Sequence, residues 1–481
     1  MREVKVDYKK IGLKVGLEIH FQLDVEKKLF CDCSTKMEEK NHKFVVVRKL
    51  YPTFSELGEL DLAARYEYLR DRVFFYYFFE KECCLVELDE EPPHDVNLEA
   101  LQIALQIAKL FNCKIPDEIH VMRKIVIDGS NTSGFQRTMI VGFDGYFEYK
   151  NRKVPIAQIC LEEDAAAIEK EENGKVYYRL NRLGIPLVEI STGVLDGFDP
   201  KEIEEIAYQI FLISSSTQKI RRMLGAIRQD INVSIKNGAR VEIKGIQRLG
   251  LISMVIEKEV ERQTKLIEEG KSVEKETRAA KEDGSTEYMR PLPGAERMYP
   301  ETDIKPVFVR EILKNLKIPE PIPAIVERYE KDYKLSKELI NSLLKSKYFF
   351  TFDRIVKSSG VDPKVVANVL TATIKEIERK EKVEFDLDDK KIEEFFDGLK
   401  NKKFFKEAAY DVLKEMNKNK EASLEEILEN LNLKPLSEEE IKKIIEEEKK
   451  NVKDRSKLVG IVLSKVRGRA DVQKVLEMLK E

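Results

Sequence analysis

The residues in this sequence best placed to do chemistry are acids set at the ends and in the middle of apolar runs. A strand-like run from Ile156 to Leu161 delivers three consecutive acids, Glu162, Glu163 and Asp164. A second strand, Tyr177 to Leu180, follows a turn at Gly174. A loop with Asn181, Arg182, Gly184 and Pro186 then leads into Leu187 to Ile190, where Glu189 interrupts an otherwise apolar strand. A carboxylate in such a run needs a cation or hydrogen-bond donors to offset its desolvation. If the strands pair, Glu189 lies near the Glu162-Glu163-Asp164 cluster and can hold a metal with it. The stretch Leu13 to Leu23 alternates as a strand does, with Glu18, His20 and Gln22 on one face and Leu17, Ile19, Phe21 and Leu23 on the other. A face with Glu and His two apart suits Mg²⁺ or Mn²⁺, or is the solvent side of a sheet.

Further candidates lie around these acids. Asp128-Gly129-Ser130-Asn131-Thr132-Ser133-Gly134-Phe135-Gln136-Arg137 closes a strand with small hydrogen-bonding residues and glycines that let the backbone approach a ligand. It lacks the Gly-Lys-Ser/Thr ending of a P-loop. Ser130, Asn131, Thr132, Ser133, Gln136 and Arg137 are expected to bind phosphate or carboxylate, with a long hairpin turn as the alternative. Two strands, IRQDINVSI and ARVEIKGIQ, place Arg228, Asp230, Asn232 and Ser234 on one face and Glu242 and Lys244 on another. Arg182, Arg228, Asp230 and Lys244 are candidate substrate contacts. The segment from Glu276 to Val307 reads as an ordered loop whose Arg278, Arg290 and Arg297 suit phosphates or structural turns. No Ser, Cys or Thr stands in a recognisable nucleophile arrangement. Cys31-x-Cys33 and Cys83-Cys84 could bind zinc together, but neither has the usual spacing of about two to four residues, and buried thiols are the commoner outcome.

Elements must position these groups, and 481 residues exceed a single core, so two or three domains are expected. A net charge of -3 with 36% charged residues excludes bulk attraction to a polyanion, so any nucleic-acid site must be a local patch. The N-terminus lacks the apolar core of a signal peptide, and the most apolar run, Val73 to Phe79, is too short to span a bilayer. A cytoplasmic protein is expected. EALQIALQIAKLF has the periodicity of a buried core helix, and Asp199-Pro200 opens a helix to about Ile213. Beyond Pro306 alternation stops. Asp362-Pro363 and the boxes Ser423-x-x-Glu426 and Ser437-x-x-Glu440 then mark helix starts. The reading is α+β: a mixed-sheet domain over 1–305, an all-α domain over 306–418 and a small helical tail over 419–481. In the tail, Lys449 to Lys474 holds nine Lys or Arg against two acids, which suits a phosphate backbone or a solvated helical face.

GLEIHFQL, DGSNTSGFQR, CLEEDAA, LNRLGIPLVEIS, RQDINVSI with VEIKGIQ, MRPLPGAERMYPETDI and LVGIVLSKVRGRAD together resemble the B/E subunit family of tRNA-dependent amidotransferases, from about residue 10 to the C-terminus. CLVELDEEPPH and RPLPGAERMYPETD are similar to the archaeal E form rather than the bacterial B form. The resemblance implies a catalytic cradle domain, a helical domain and a YqeY-like tail. It implies ATP-dependent phosphorylation of the γ-carboxylate of Glu-tRNA(Gln), then displacement of phosphate by ammonia. ATP and Mg²⁺, or Mn²⁺, are the implied cofactors. The implied partners are tRNA(Gln) charged with Glu and an asparaginase-like D subunit that sends ammonia through an internal channel, two D with two E. Carried over by position, Glu18, His20, Glu163 and Glu189 match the family's metal-binding residues, with His20, Glu163 and Glu189 at the catalytic centre. Arg278, Arg290, Arg297, Arg467 and Arg469 are the expected tRNA contacts.

Archaeal members of the E form carry an inserted domain resembling one in bacterial aspartyl-tRNA synthetases, where this chain has only about Gly270 to Lys275. Two other readings compete. A non-catalytic tRNA-binding protein on the same fold has no reason to place Glu18, Glu163 and Glu189 where they repel one another and RNA. A ligase for a free amino acid has no need of the basic tail.

Overall fold

A computed structural model describes residues 6–54, 58–223, 225–292, 298–452 and 454–480. The protein is α+β and divides into two compact units, Met1–Pro323 and Ala324–Glu481. The first unit is organised by an eleven-stranded mixed sheet. Its path runs Thr286–Pro291, Glu276–Ala280, Val241–Ile246, Ile227–Ser234, Lys14–Gln22, Pro186–Thr192, Arg152–Glu163, Phe135–Tyr149, Met122–Ile125 and Met298–Pro300, with Leu195–Asp196 beside Lys14–Gln22. Neighbours are antiparallel except Val241–Ile246 and Glu276–Ala280, which are parallel and joined through the helix Ile252–Glu268.

Alternation in the sequence becomes two unlike faces. Directly opposed residues share a face, and the register sets His20 against Glu189, Glu18 against Asp230, Asn232 against Glu242, and Glu162 against both Leu187 and Thr138. That face is polar. The other carries Leu17, Ile19, Met139, Leu161, Ile190 and Ile231 into one buried core beneath the helices Leu98–Leu110, Pro200–Ser215 and Ile252–Glu268. Each such side chain contributes about 1.5–3 kcal/mol of transfer free energy, so the register is strongly specified. The helices begin where local chemistry says. Asn97 accepts from the Ala100 N–H, and Asp199 forms a reciprocal capping box with Glu202 just before Pro200.

A second, four-stranded sheet orders Phe44–Arg48, Val73–Phe78, Lys175–Arg179 and Ala167–Glu172. The aromatic run buries Phe74, Tyr76 and Phe78 there, against Val176 and Tyr178. The first unit continues past the expected boundary near residue 306, because Val307–Phe308 pairs with Glu118–Ile119 and Val309 is buried in the main core.

In the second unit every described regular element is helical. Asp362 caps Pro363–Asn368, and both serine capping boxes form. The last helices close over Ile441, Ile445, Leu458, Val462, Val466 and Val475. No described helix is long and apolar enough to cross a membrane.

Candidate active site

The polar face of the large sheet gathers acids into two groups. His20, Glu162 and Glu189 offer ligand atoms within 4.8 Å of one another, and so do Glu18, Asp230 and Glu242. In the first group His20 Nε2 lies 3.2 Å from Glu189 Oε2, and Ser191 donates to Glu189 Oε1. Glu162 accepts from Thr138 Oγ1 at 2.7 Å, from Gln136 Nε2 at 3.2 Å and from Lys124 Nζ at 2.7 Å. Burial acts to raise Glu189, but Lys124 and His20 outweigh it and hold the carboxyl well below the usual range. Burial acts to lower His20, and the hydrogen bond and charge of Glu189 outweigh that too, so the imidazole is held above its usual value. In the second group Lys244 Nζ lies 2.8 Å from Asp230 Oδ2 and 3.1 Å from Glu242 Oε1, while Asn232 donates to Glu18 at 3.0 Å. Burial first, then the charge of Glu189, raises Glu18.

Both groups fit a hard divalent cation. Carboxylate oxygens suit Mg²⁺, and an imidazole beside two carboxylates admits Mn²⁺ as well. The buried Nδ1 of His20 has no hydrogen-bond partner among the described residues.

The expected quartet Glu18, His20, Glu163 and Glu189 is therefore divided. Glu189 and His20 share one group and Glu18 belongs to the other, while Glu163 joins neither. Glu163 sits one residue beyond Glu162, so the pleat turns it to the opposite side of the sheet. There its carboxylate accepts from the Arg137 backbone N–H at 3.1 Å and lies 3.3 Å from Arg137 Nη1. Burial raises its pKa in spite of Arg137. Arg137 is held from behind by Glu301, at 2.8 Å.

The expected phosphate loop is tied up internally. Ser130 donates to Asp128, Thr132 to the Glu87 carbonyl and Ser133 to the Phe135 carbonyl. Gln136 turns to Glu162 and to the Glu163 carbonyl. Asn131, Thr132 and Ser133 instead line a cavity of about 20 Å³ with Lys28, Arg137 and Glu163, room for a single water. The Oδ1 of Asn131 has no hydrogen-bond partner among the described residues. Gly129 has φ of +93°, and a Cβ on it would lie 2.2 Å from the Phe74 ring, so the loop requires glycine at that position.

Asp164 organises the cations on the polar face. Its fully buried carboxylate takes Arg228 Nη2 at 2.7 Å and lies 3.8 Å from Arg182 Nε; Gln22 Nε2 donates to it as well. Burial alone would raise Asp164, but Arg228 and Arg182 outweigh it and lower the pKa. Arg182 spends its donors on the carbonyls of Ala165 and Ala166. Arg228 keeps 32% of its side chain exposed.

Other expectations are revised by the contacts. Arg278 is consumed within its own hairpin by Glu276, Thr286 Oγ1 and the Thr286 carbonyl. Arg290 lies half-buried 3.9 Å from Glu67, and Arg297 falls outside the described residues. Arg467 remains largely exposed, and Arg469 reaches the Lys434 carbonyl. Cys31, Cys33 and Cys84 do converge, but the fourth donor is Glu87. Cys83 packs into the core of the small sheet instead. Hydrogen bonds from Cys31 and Cys33 drive the Cys84 thiol down, while Cys31 is driven up. Three sulfurs and a carboxylate suit zinc. The residues sequence reasoning missed are Lys124, Glu301 and Glu87; Glu162 stood in the expected acidic cluster but was not separated there from Glu163. Parity within Ile156–Glu163 could have found Glu162, whereas nothing local marks the others.

A helix-backed sheet with an acidic face is the catalytic domain of a known class. Residues 13–315 match the family described as the GatB/GatE catalytic domain, and residues 351–481 match one described as the GatB domain. The chain belongs to the GatB/GatE amidotransferase family and is an enzyme subunit of the carbon-nitrogen ligase class with an amide donor. Within that family it is similar to the E subunit of glutamyl-tRNA(Gln) amidotransferase from Methanocaldococcus jannaschii, at 37% identity with 99% of each chain covered. The corresponding protein of Archaeoglobus fulgidus is 36% identical over 99% of this chain and 98% of its own, and that of Thermococcus sibiricus 35% over 100% and 99%. The 629 positions aligned with the first exceed the 481 residues of this chain, so that relative carries segments with no counterpart here.

Proposed function

We propose that this chain uses ATP to activate the γ-carboxylate of glutamate on Glu-tRNA(Gln) and then delivers it to ammonia, giving Gln-tRNA(Gln). In the first step a carboxylate oxygen attacks the γ-phosphorus and ADP leaves. In the second, ammonia attacks the acyl carbon, phosphate leaves and a proton is lost. The first step joins two anions, so charge neutralisation and alignment supply most of the catalysis. Mg²⁺, when bound, would screen the phosphate oxygens and orient them. Glu162, Glu189 and His20 would hold one ion, and Glu18, Asp230 and Glu242 offer a second place. Arg228, braced by Asp164, and Lys244 present positive charge on the same face and suit nucleotide phosphates.

The observation that best supports this reading is the single polar face carrying both acid groups and their cations within the family-matched domain. In this reading the ammonia comes from an asparaginase-like D subunit, in an assembly of two D and two E. The tail would dock tRNA(Gln), and the reaction belongs in the cytoplasm with protein synthesis.

The test is incubation of the isolated chain with Glu-tRNA(Gln), ATP, Mg²⁺ and high ammonium, scoring Gln-tRNA. Product is expected with ammonium and not with asparagine or glutamine. A folded chain that makes none with ammonium overturns the reading.

A further inference from the structure

We infer that Lys124 is an exchangeable counter-cation: its ammonium holds Glu162 and Glu189 until a divalent ion takes those carboxylates, then moves to the phosphate that the ion brings. This rests on the activation chemistry proposed above. Lys124 Nζ lies 2.7 Å from Glu162 Oε1 and 3.7 Å from Glu189 Oε2, the latter oxygen also 3.2 Å from His20 Nε2. The lysine thus touches two of the three donors that a divalent ion would use. An ammonium is a compact charge with three donors and no fixed geometry, which suits a temporary place between carboxylates. A dication at the same oxygens competes for their lone pairs and repels the lysine at close range.

The surroundings permit the exchange. The Lys124 backbone stays fixed between two ladder partners, Gln136 and Met298, so only the four-carbon stem must swing. Glu162 does not depend on the lysine for its orientation, because Thr138 Oγ1 and Gln136 Nε2 continue to donate to it. The lysine side chain retains 13% exposure and lies on the polar face, not in the core. An ammonium displaced there lies next to the ion, within reach of phosphate oxygens that share it. Such a contact would add to the neutralisation of phosphate charge on which the activation step depends.

The test compares Lys124→Met and Lys124→Arg with wild type in two measurements, Mn²⁺ binding without nucleotide and ammonium-driven Gln-tRNA formation at saturating metal. Removing the competing charge is expected to tighten Mn²⁺ about tenfold in Lys124→Met and to slow turnover about a hundredfold. Lys124→Arg keeps a charge and is expected to bind Mn²⁺ as wild type does. Mn²⁺ should raise the melting temperature of Lys124→Met more than that of wild type, which also checks that the variant folds. If Lys124→Met binds Mn²⁺ no tighter than wild type while turnover falls, Lys124 merely positions the ligands and the exchange is overturned. Tighter Mn²⁺ with wild-type turnover overturns the transfer to phosphate. Failure of the underlying reading looks different: wild type and Glu162→Gln then bind Mn²⁺ equally, or neither binds it.

Discussion

Glu162 and Glu163 are neighbours in the chain and face opposite sides of one strand. Glu162→Gln removes a charge from the His20–Glu189 group and is expected to abolish Mn²⁺ binding there and lower turnover by roughly 10²–10³-fold. Glu163→Gln is expected to leave Mn²⁺ affinity unchanged; equal loss in both variants would return Glu163 to the metal. The distinction was legible in IAQICLEE, where Ile159 and Leu161 point to the core and Glu163 continues their parity. The contacts that satisfy Glu163 were not legible, since Arg137 and Glu301 meet it only through the fold. Asp164 carries a second expectation. Its pKa is lowered in the folded state by Arg228 and Arg182, so its stabilisation is present above the unfolded value of about 3.9 and is lost as pH falls through the folded value. Asp164→Asn removes the counter-charge of Arg228, and in part that of Arg182, and should cost about 1–3 kcal/mol at neutral pH. The difference from wild type in urea titrations should shrink below about pH 4; a pH-independent difference would remove the charge pairing as its cause.

At the scale of elements, strands and helices were largely written in local chemistry. The alternation of Lys14–Gln22 and the caps at Asp199, Asp362, Ser423 and Ser437 all appear where the residues say. The segment around Arg278 was read as a loop although Asp283-Gly284 is a hairpin signal, and Gly284 does take φ of +80° between the strands Glu276–Ala280 and Thr286–Pro291. Arg278 is spent bracing that hairpin. The cysteines show a limit of another kind. Spacing within Cys31-x-Cys33 and Cys83-Cys84 argued against zinc, yet the turn at Lys27–Ser34 and the turn at Cys84–Glu87 bring three sulfurs and a carboxylate together. Protein purified without chelator is expected to carry about one equivalent of zinc by elemental analysis. Cys33→Ser or a strong chelator should remove it and lower the melting temperature, because the ion would add to the contacts that Lys28 and Cys31 already make to Glu87 between the two turns. Zinc-free wild type of full stability would sink this assignment.

At the scale of the whole molecule, an acidic sheet face and a basic helical tail occupy separate compact units, so bulk charge says little about either. The basic run is weaker than its composition suggests. Lys465 pairs with Glu448 and Lys474 with Glu438. Arg467 keeps 62% of its side chain exposed, with the Glu407 carbonyl at 3.4 Å and Asp411 at 3.8 Å. Arg469 leans on the Lys434 carbonyl through one nitrogen. These two arginines are among the groups still able to meet a phosphate backbone, with the exposed Lys449, Lys450, Arg455 and Lys457, and such groups position a nucleic acid without reading it. Each phosphate that goes without its arginine should reduce the slope of log affinity against log salt by about 0.7–0.9. Arg467→Glu with Arg469→Glu is therefore expected to weaken tRNA binding at low salt and flatten its salt dependence by roughly one to two units. Ammonium-driven turnover at saturating Glu-tRNA(Gln) should stay near wild type, since the acid groups lie in the other unit. Unchanged helical circular dichroism would separate the reversed charges from unfolding as the cause. A tRNA dissociation constant that keeps its wild-type value and slope from low to moderate salt would leave the tail as a solvated helical bundle and move tRNA docking elsewhere on the chain.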